Sequence, residues 1–201
     1  MIEFKKAMMK KREHFDKFLA FDCETSGVSY TENPAKDYQI VSFGAIVSDF
    51  TFKPIEELYC EIKWNRTARW EISAENVHGL SRKYLEDHGM KEEQAVEQLG
   101  GMLFEHFGAD SPIVLLGHNV GVFDLPFLRK LLLNHGLPFK FAMRTLDTFS
   151  LGLATVGSYT SEELFDAMGF EKRGKHNSLQ DAQYSLRAFG ILSKMWKKYV
   201  T

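Results

Sequence analysis

The chain has 201 residues, of which 44% are hydrophobic and 26% are charged, and its formal net charge is −2. This length can build one sizeable core, so we expect one folded domain. No apolar run approaches the roughly 18 residues of a membrane span and no secretory signal is visible, so no membrane partner is expected. Cys23 and Cys60 are the only cysteines, which makes no disulfide framework and favours a reduced, cytoplasmic setting.

The N-terminal part predicts a basic helix followed by a short buried strand. Lys5 to Phe18 has helical spacing and several lysines, so residues 1–17 are interpreted as a basic helical extension of a domain at 18–201. The apolar run Phe18 to Phe21 predicts a strand. Thr25 to Tyr38 contains glycine and Asn-Pro, which predicts a loop.

The middle of the chain predicts paired strands and two helices. Gln39 to Val47 and Leu58 to Lys63 are rich in apolar and β-branched residues, and the tight link between them favours antiparallel pairing. Lys91 to Phe107 has helical spacing. Ile113 to Leu116 predicts another short apolar strand, and Leu125 to Asn134 predicts the helix after it.

The last third predicts two further helices. Thr160-Ser161-Glu162-Glu163 has the form of a capping box, which begins a helix. Ser178 to Tyr199 predicts a long helix, whose apolar stripe runs through Ala182, Leu186, Phe189 and Trp196. Strands that come first, and are then mixed with helices, indicate an α/β or α+β fold with helices on a mixed sheet.

Five polar side chains, spread over most of the chain, are the candidate site. Asp22 and Glu24 are two apart on a predicted strand, so both point to the same face. Asp124 follows another predicted strand, Asp181 lies one turn into the last helix, and His176 comes just before it. Each has an ordinary structural explanation alone, as a strand end, a helix cap or a solvated residue. The hypothesis therefore depends on their convergence.

Convergence of the carboxylates would form an all-oxygen cage suited to hard divalent ions such as Mg²⁺ or Mn²⁺. Two such ions could clamp a phosphodiester, one activating water and the other stabilising the leaving 3′ oxygen. Histidine has the ordinary pKa that suits a general base near neutral pH, which makes His176 the candidate base. Cys23 lies between two carboxylates that would raise the pKa of its thiol, which disfavours nucleophilic catalysis by cysteine.

These segments resemble the DEDDh group of 3′→5′ exonucleases, the DnaQ-like family. Asp22-Cys23-Glu24-Thr25 matches the Asp-x-Glu-Thr motif of that family. The segment His118 to Asp124 matches His-Asn-x-x-Phe-Asp with one extra residue, and His176 to Asp181 matches His-x4-Asp. Asn177 stands where a sister group has tyrosine, which indicates the histidine branch.

The resemblance spans residues 18–189 and implies an RNase H-like α/β fold, in which helices flank a five-stranded mixed sheet. It also implies two Mg²⁺ (or Mn²⁺) ions, release of nucleoside 5′-monophosphates, and an exonuclease domain over residues 18–201. By resemblance, the metal ligands are Asp22, Glu24, Asp124 and Asp181, and the base is His176. The implied substrate contacts are Thr25, Val77, His78, Asn119 and Phe123.

Weaker matches are divided on the substrate. Val77-His78-Gly79-Leu80 resembles a proofreading segment that packs against the terminal nucleotide, which favours DNA. Phe123 and Ser150-Leu151-Gly152-Leu153-Ala154 resemble RNase T, although Leu146 stands where that enzyme has another phenylalanine. We expect a 3′→5′ exonuclease on single-stranded nucleic-acid 3′ ends, with DNA favoured over RNA. An RNase T-like or oligoribonuclease-like exoribonuclease is the first alternative, and an inactive nucleic-acid-binding module is the second.

Three further matters stay open in the sequence. Leu146-Asp147-Thr148 resembles the Asp-Thr pair that follows a later strand of the family. The segment Trp64 to Trp70 mixes aromatic residues with arginine, which suits base stacking and phosphate contacts or, equally, tryptophans packed in a core. A polymerase or other replication or repair partner is possible, and so is a homodimer. The sequence does not decide between them.

Overall fold

The structure, a computed structural model, describes residues 16–29 and 33–200, except the side chains of 196–200. Most of the predicted helix from Lys5 to Phe18 lies outside these residues. The predicted end of that helix was wrong, because Lys17 and Phe18 belong to a strand and pair with Asp49 and Ser48. Pairing along a whole neighbouring strand outweighs local helical spacing at this point.

The described residues form five strands and eight helices. The strands are β1 (Lys17–Thr25), β2 (Ile40–Asp49), β3 (Pro54–Glu61), β4 (Leu115–Gly117) and β5 (Leu146–Asp147). The helices are α1 (Pro34–Asp37), α2 (Ile72–His78), α3 (Arg82–His88), α4 (Glu92–Phe107), α5 (Asp124–Asn134), α6 (Thr148–Val156), α7 (Ser161–Ala167) and α8 (Ser178–Val200). Within this described part of the chain, no helix combines the length and apolar character needed to cross a membrane.

The sheet has five strands in the order β3-β2-β1-β4-β5, with β1 at its centre. The pairs β1–β2 and β2–β3 are antiparallel, whereas β1–β4 and β4–β5 are parallel. The predicted mixed five-stranded sheet and the predicted antiparallel pairing are confirmed.

Both faces of the central strand are buried. Leu19 and Phe21 belong to a large apolar cluster that includes residues of α4 and α5. Phe18 and Ala20 point the other way, into a second cluster with Ala182 and other residues of α8. A strand covered on both faces reads as a continuous apolar run, which explains the sequence of β1. The sheet therefore lies between two layers of helices.

Helix α8 approaches the sheet very closely at Gly44 of β2. A Cβ atom at Gly44 would lie 2.3 Å from the Cα of Leu179. Gly44 is also the antiparallel partner of Asp22 on β1. The missing side chain thus lets the first turn of α8 rest on the sheet backbone beside Asp22.

Most of the longer elements confirm the prediction. The helix predicted over Lys91 to Phe107 is α4, the one over Leu125 to Asn134 is α5, and the terminal helix is α8. Both hydrogen bonds of the capping box at the start of α7 are present, between Thr160 and Glu163.

The differences concern short elements. The predicted loop Thr25 to Tyr38 contains α1, which begins at Pro34, a residue suited to the first helical position. Helices α2, α3 and α6 were not predicted, because each has at most nine residues and little apolar periodicity. Strand β4 begins at Leu115, while Ile113 forms only an isolated bridge with Phe141.

Candidate active site

Two carboxylates project from the C-terminal end of β1. Asp22 is half-buried and Glu24 is buried. Their partners across the sheet are Gly44 and Ser42, and the Ser42 hydroxyl lies 3.2 Å from the hydroxyl of Ser178 in α8. The two carboxylates therefore share the sheet face that α8 covers, as the period of two predicts.

Asp124 reaches the same strand from α5. It is the first residue of that helix and is 3% exposed. Its Oδ1 accepts a hydrogen bond of 2.9 Å from the backbone N–H of Cys23, between Asp22 and Glu24. The side chain thus turns to the sheet rather than capping a helix, and it joins two segments that are 101 residues apart.

Asp181 and His176 come from the start of α8. Asp181 is buried in the first turn, and the backbone carbonyl of Asn177 accepts its N–H. The Nδ1 atom of His176 lies 3.7 Å from Oδ2 of Asp181. One ligand atom from each of Glu24, His176 and Asp181 lies within 4.8 Å of the others. The last helix therefore brings its motif onto the end of β1.

Burial is the main cause that raises the pKa values of the four carboxylates. Burial and the charges of Asp124, Glu24 and Asp181 raise the pKa of Asp22 well above its usual range. Burial, with Asp181 and Asp124, raises the pKa of Glu24 to about 8. Burial raises the pKa of Asp124 to about 7 and also raises that of Asp181. Such an excess of buried negative charge fits a site for divalent cations with oxygen ligands.

Two charged residues of the site were not identified from the sequence. Arg173 pairs with Asp181 and, at 2.7 Å, with Glu162. Glu162 also lies 2.8 Å from Nε2 of His176. The sequence marks Glu162 only as part of a capping box. Arg173 is three residues before His176, and its proximity to that motif is the one signal that could have indicated it.

A cavity of about 260 Å³ opens beside Glu24. Of the predicted substrate contacts, Thr25, Val77, His78 and Phe123 line it, whereas Asn119 is not among the lining residues. The remaining lining residues are Cys23, Glu24, Val28, Ser73 and Ala74. The cavity is mostly apolar and next to the carboxylates, which suits a base or sugar held beside a reacting phosphate.

His78 is a neutral histidine at the wall of this cavity. Burial lowers its pKa to about 4. Its Nδ1 accepts a hydrogen bond of 3.0 Å from the backbone N–H of Leu80, so the ring proton is on Nε2. Nε2 is buried and has no hydrogen-bond partner within the described residues.

Asn119 lies in a turn that a later segment holds. It is exposed, with a φ of 59°, and its backbone N–H donates to Oδ1 of Asp147 at 3.0 Å. The hydroxyl of Thr148 lies 3.2 Å from Nδ1 of His118 and donates to the carbonyl of Gly117. The predicted Asp147-Thr148 pair thus supports the backbone before Asp124.

Trp64 and Trp70 form a half-buried cluster rather than part of the central core. Their rings meet edge to face, with centroids 5.8 Å apart. The guanidinium of Arg82 lies 5.4 Å from the centroid of Trp64 and 5.9 Å from that of Trp70. The ring of Trp70 also meets that of His78 edge to face. This cluster supports α2 and the cavity wall from behind.

An RNase H-like sheet with carboxylates at the end of its central strand defines the class of this protein as a nuclease. The family model described as "Exonuclease" (RNase T) matches residues 19–189. The chain therefore belongs to this exonuclease family, and the predicted resemblance to the DEDDh exonucleases is confirmed. No curated protein sequence matches the chain.

Solved structures of Exonuclease I share the fold. The E. coli enzyme in complex with a 5cy-dT13 oligonucleotide has a TM-score of 0.71 at 19% identity, covering 91% of this chain and 41% of that chain. The zinc-bound form of the E. coli enzyme with ssDNA has a TM-score of 0.74 at 19% identity, covering 92% and 42%. The moderately thermophilic enzyme from Methylocaldum szegediense has 0.72 at 17% identity, covering 92% and 42%. This chain thus spans less than half the length of these relatives.

Proposed function

We propose that this chain is a metal-dependent 3′→5′ exonuclease that releases nucleoside 5′-monophosphates from single-stranded 3′ ends, with DNA favoured over RNA. The observation that carries the proposal is the convergence of Asp22, Glu24, Asp124, Asp181 and His176 beside a cavity. Exonuclease I relatives are seen with single-stranded DNA, which supports the choice of substrate.

We further propose Asp22, Glu24, Asp124 and Asp181 as ligands of two Mg²⁺ or Mn²⁺ ions. All four are acidic oxygen donors with raised pKa values. Burial is the main cause for each, and repulsion from other carboxylates of this set adds to it at Asp22 and Glu24. A divalent cation would favour their ionised forms. When bound, such ions would neutralise the scissile phosphate and make water a stronger nucleophile.

The protein's own groups have distinct tasks in this proposal. His176 takes a proton from the attacking water, since an imidazole nitrogen faces Asp181 at 3.7 Å. The cavity at Val77, His78 and Phe123 holds the terminal nucleotide. A cavity that accepts one chain end next to the carboxylates favours removal of terminal nucleotides over internal cleavage.

The test uses 5′-labelled single-stranded DNA and RNA of one sequence, with Mg²⁺, Mn²⁺ or EDTA. We expect a metal-dependent ladder that shortens from the 3′ end, and faster shortening of DNA. Asp124→Asn should lower the rate by about 100-fold or more, because it removes a ligand charge while keeping an acceptor for Cys23. Asp110→Asn, an exposed change, is the matched control.

Retained activity in Asp124→Asn would contradict the proposed site. No shortening of either substrate with both metals would instead favour the inactive binding module. An exoribonuclease is the second candidate, because the RNase T-like Phe123 does line the cavity. Faster shortening of the RNA substrate would select that candidate.

A further inference from the structure

Glu162 receives two donors at one oxygen. Its Oε1 lies 2.8 Å from Nε2 of His176 and 2.7 Å from Nη2 of Arg173. The other guanidinium nitrogen of Arg173 binds Asp181, and Nδ1 of His176 faces Oδ2 of the same carboxylate at 3.7 Å. The four side chains thus form a closed ring in which acidic and basic groups alternate.

Arg173 is held firmly within this ring. Its side chain is 6% exposed, and its guanidinium lies 4.9 Å from the ring centroid of Phe165. Its Nη2 also lies 3.3 Å from the Ser161 hydroxyl. A guanidinium packed on an aromatic face and bonded on two sides loses little further freedom when it binds a carboxylate. Glu162 therefore has a fixed partner, although its own side chain is 56% exposed.

The backbone of Glu162 is also fixed. It lies in the first turn of α7, where Thr160 and Glu163 form both hydrogen bonds of the capping box. The Glu163 carboxylate additionally accepts the N–H of Tyr159 at 2.6 Å. The helix start is thus held by neighbours of Glu162, which leaves the Glu162 carboxylate available for His176.

We propose that Glu162 is the positioning residue for His176, and that Arg173 holds Glu162 in place; this inference rests on the proposed function. A carboxylate accepts hydrogen bonds only, so Nε2 of His176, at 2.8 Å, carries its proton toward Glu162. The lone pair of the neutral ring is then on Nδ1, which lies 3.7 Å from Asp181, beyond hydrogen-bond distance. In the reaction, an O–H bond of water breaks and an N–H bond forms at Nδ1. The resulting imidazolium then lies against the Glu162 carboxylate, which stabilises its charge.

Glu162→Ala tests the inference in steady-state kinetics. We expect kcat to fall by about 10- to 100-fold with KM nearly unchanged, because a disordered imidazole loses part of the general-base contribution. Glu162→Gln should recover part of the loss, since its amide oxygen still accepts the Nε2–H. Asp166→Ala, which removes another exposed acid from α7, should leave kcat unchanged.

A double-mutant cycle separates positioning from a structural role. Adding Glu162→Ala to His176→Ala should cause no further loss of kcat, because the residue that Glu162 positions is already absent. A further loss equal to that in the wild-type background would overturn the inference. Unchanged kcat in Glu162→Ala alone would also overturn it.

Nitrogen-15 NMR of the His176 ring gives a readout that needs no activity. In the metal-free protein, neutral His176 should be the Nε2–H tautomer, and Glu162→Ala should convert it to a mixture. An unchanged tautomer in Glu162→Ala would overturn the inference whatever the kinetics show. Wild-type protein that hydrolyses no substrate, with the expected tautomer change intact, would contradict the proposed function and leave the Glu162–His176 contact standing.

Discussion

Burial and nearby negative charge destabilise the ionised forms of the acidic side chains at the site. Burial and three neighbouring carboxylates raise the pKa of Asp22, whereas the positive charge of Arg173 lowers it. The metal-free protein therefore holds charges that the unfolded chain would hold more easily. A carboxylate cluster of this kind lowers the stability of the metal-free fold.

Asp22→Asn should therefore raise stability in EDTA. Removing one buried charge relieves its desolvation and the repulsion from its neighbours, together worth about 1 kcal/mol or more, which corresponds to a melting temperature about 2–4 °C higher. The same change should greatly reduce the stabilisation that Mn²⁺ gives to the wild type. Differential scanning fluorimetry with EDTA and with Mn²⁺ measures both effects. A lower melting temperature in EDTA would contradict the repulsion argument, and Asp110→Asn should change neither quantity.

The position of α8 decides whether the site exists at all. Its first turn carries Asp181, begins two residues after His176, and rests on the backbone of β2 at Gly44. Gly44 pairs with Asp22, so any displacement of the helix at this point separates Asp181 from the carboxylates of β1. The glycine thus has a packing role and a role in the site.

Gly44→Ala should be strongly destabilising. Its Cβ would meet backbone atoms of Leu179 and Ser178, and backbone cannot rotate away as a side chain can. We expect a loss of about 3 kcal/mol in the free energy of unfolding, and a lower rate of hydrolysis in the protein that still folds. Urea denaturation and the oligonucleotide assay measure the two effects.

Gly101→Ala is the matched control. Gly101 is an exposed residue inside α4, and a Cβ there would meet nothing within 4 Å. The change should raise stability by about 0.5–1 kcal/mol, because alanine favours a helix over glycine. Equal effects at the two glycines would show that α8 does not need the close approach at Gly44.

At the scale of the whole molecule, proton binding by the carboxylates of the site is coupled to folding. The folded-state pKa is about 8 for Glu24 and about 7 for Asp124, against ordinary values of 4.5 and 3.8. The folded protein thus binds protons at these groups more tightly than the unfolded chain does. Their contribution to stability is complete below the ordinary values and is lost as pH rises through the folded values.

In EDTA, lowering the pH from about 8 to about 6 should raise the melting temperature. The same pH change should raise the melting temperature of the Mn²⁺-loaded protein by less. If these carboxylates are the metal ligands, as proposed, protons and metal compete for them, so the melting-temperature increase that Mn²⁺ causes should shrink over this range. Melting curves across pH, with and without metal, measure the difference. A metal-induced increase that is constant over this range would contradict the raised pKa values.

The parts of the fold that the sequence predicts are those with strong local patterns. The run Phe18 to Phe21 predicts a buried strand, and helical spacing predicts α4, α5 and α8. The ring of Glu162, Arg173, His176 and Asp181 was only half identified, because ion pairs between a helix start and a distant loop leave no periodic pattern. Helices α2 and α3 were missed for a similar reason, since each has seven residues and packs only a narrow face.

The central position of β1 also has a consequence for the order of folding. Its antiparallel partner β2 follows closely in the chain. Its parallel partner β4, in which Leu115 pairs with Leu19, lies far along the chain. Joining distant segments is slow, because the entropy of a large loop is lost before the contacts that compensate for it form. The hairpin of β1 and β2 can form early, whereas Asp124 reaches Cys23 only when this late pairing is complete. Recovered hydrolysis should therefore report the last stage of refolding, after most of the secondary structure has returned.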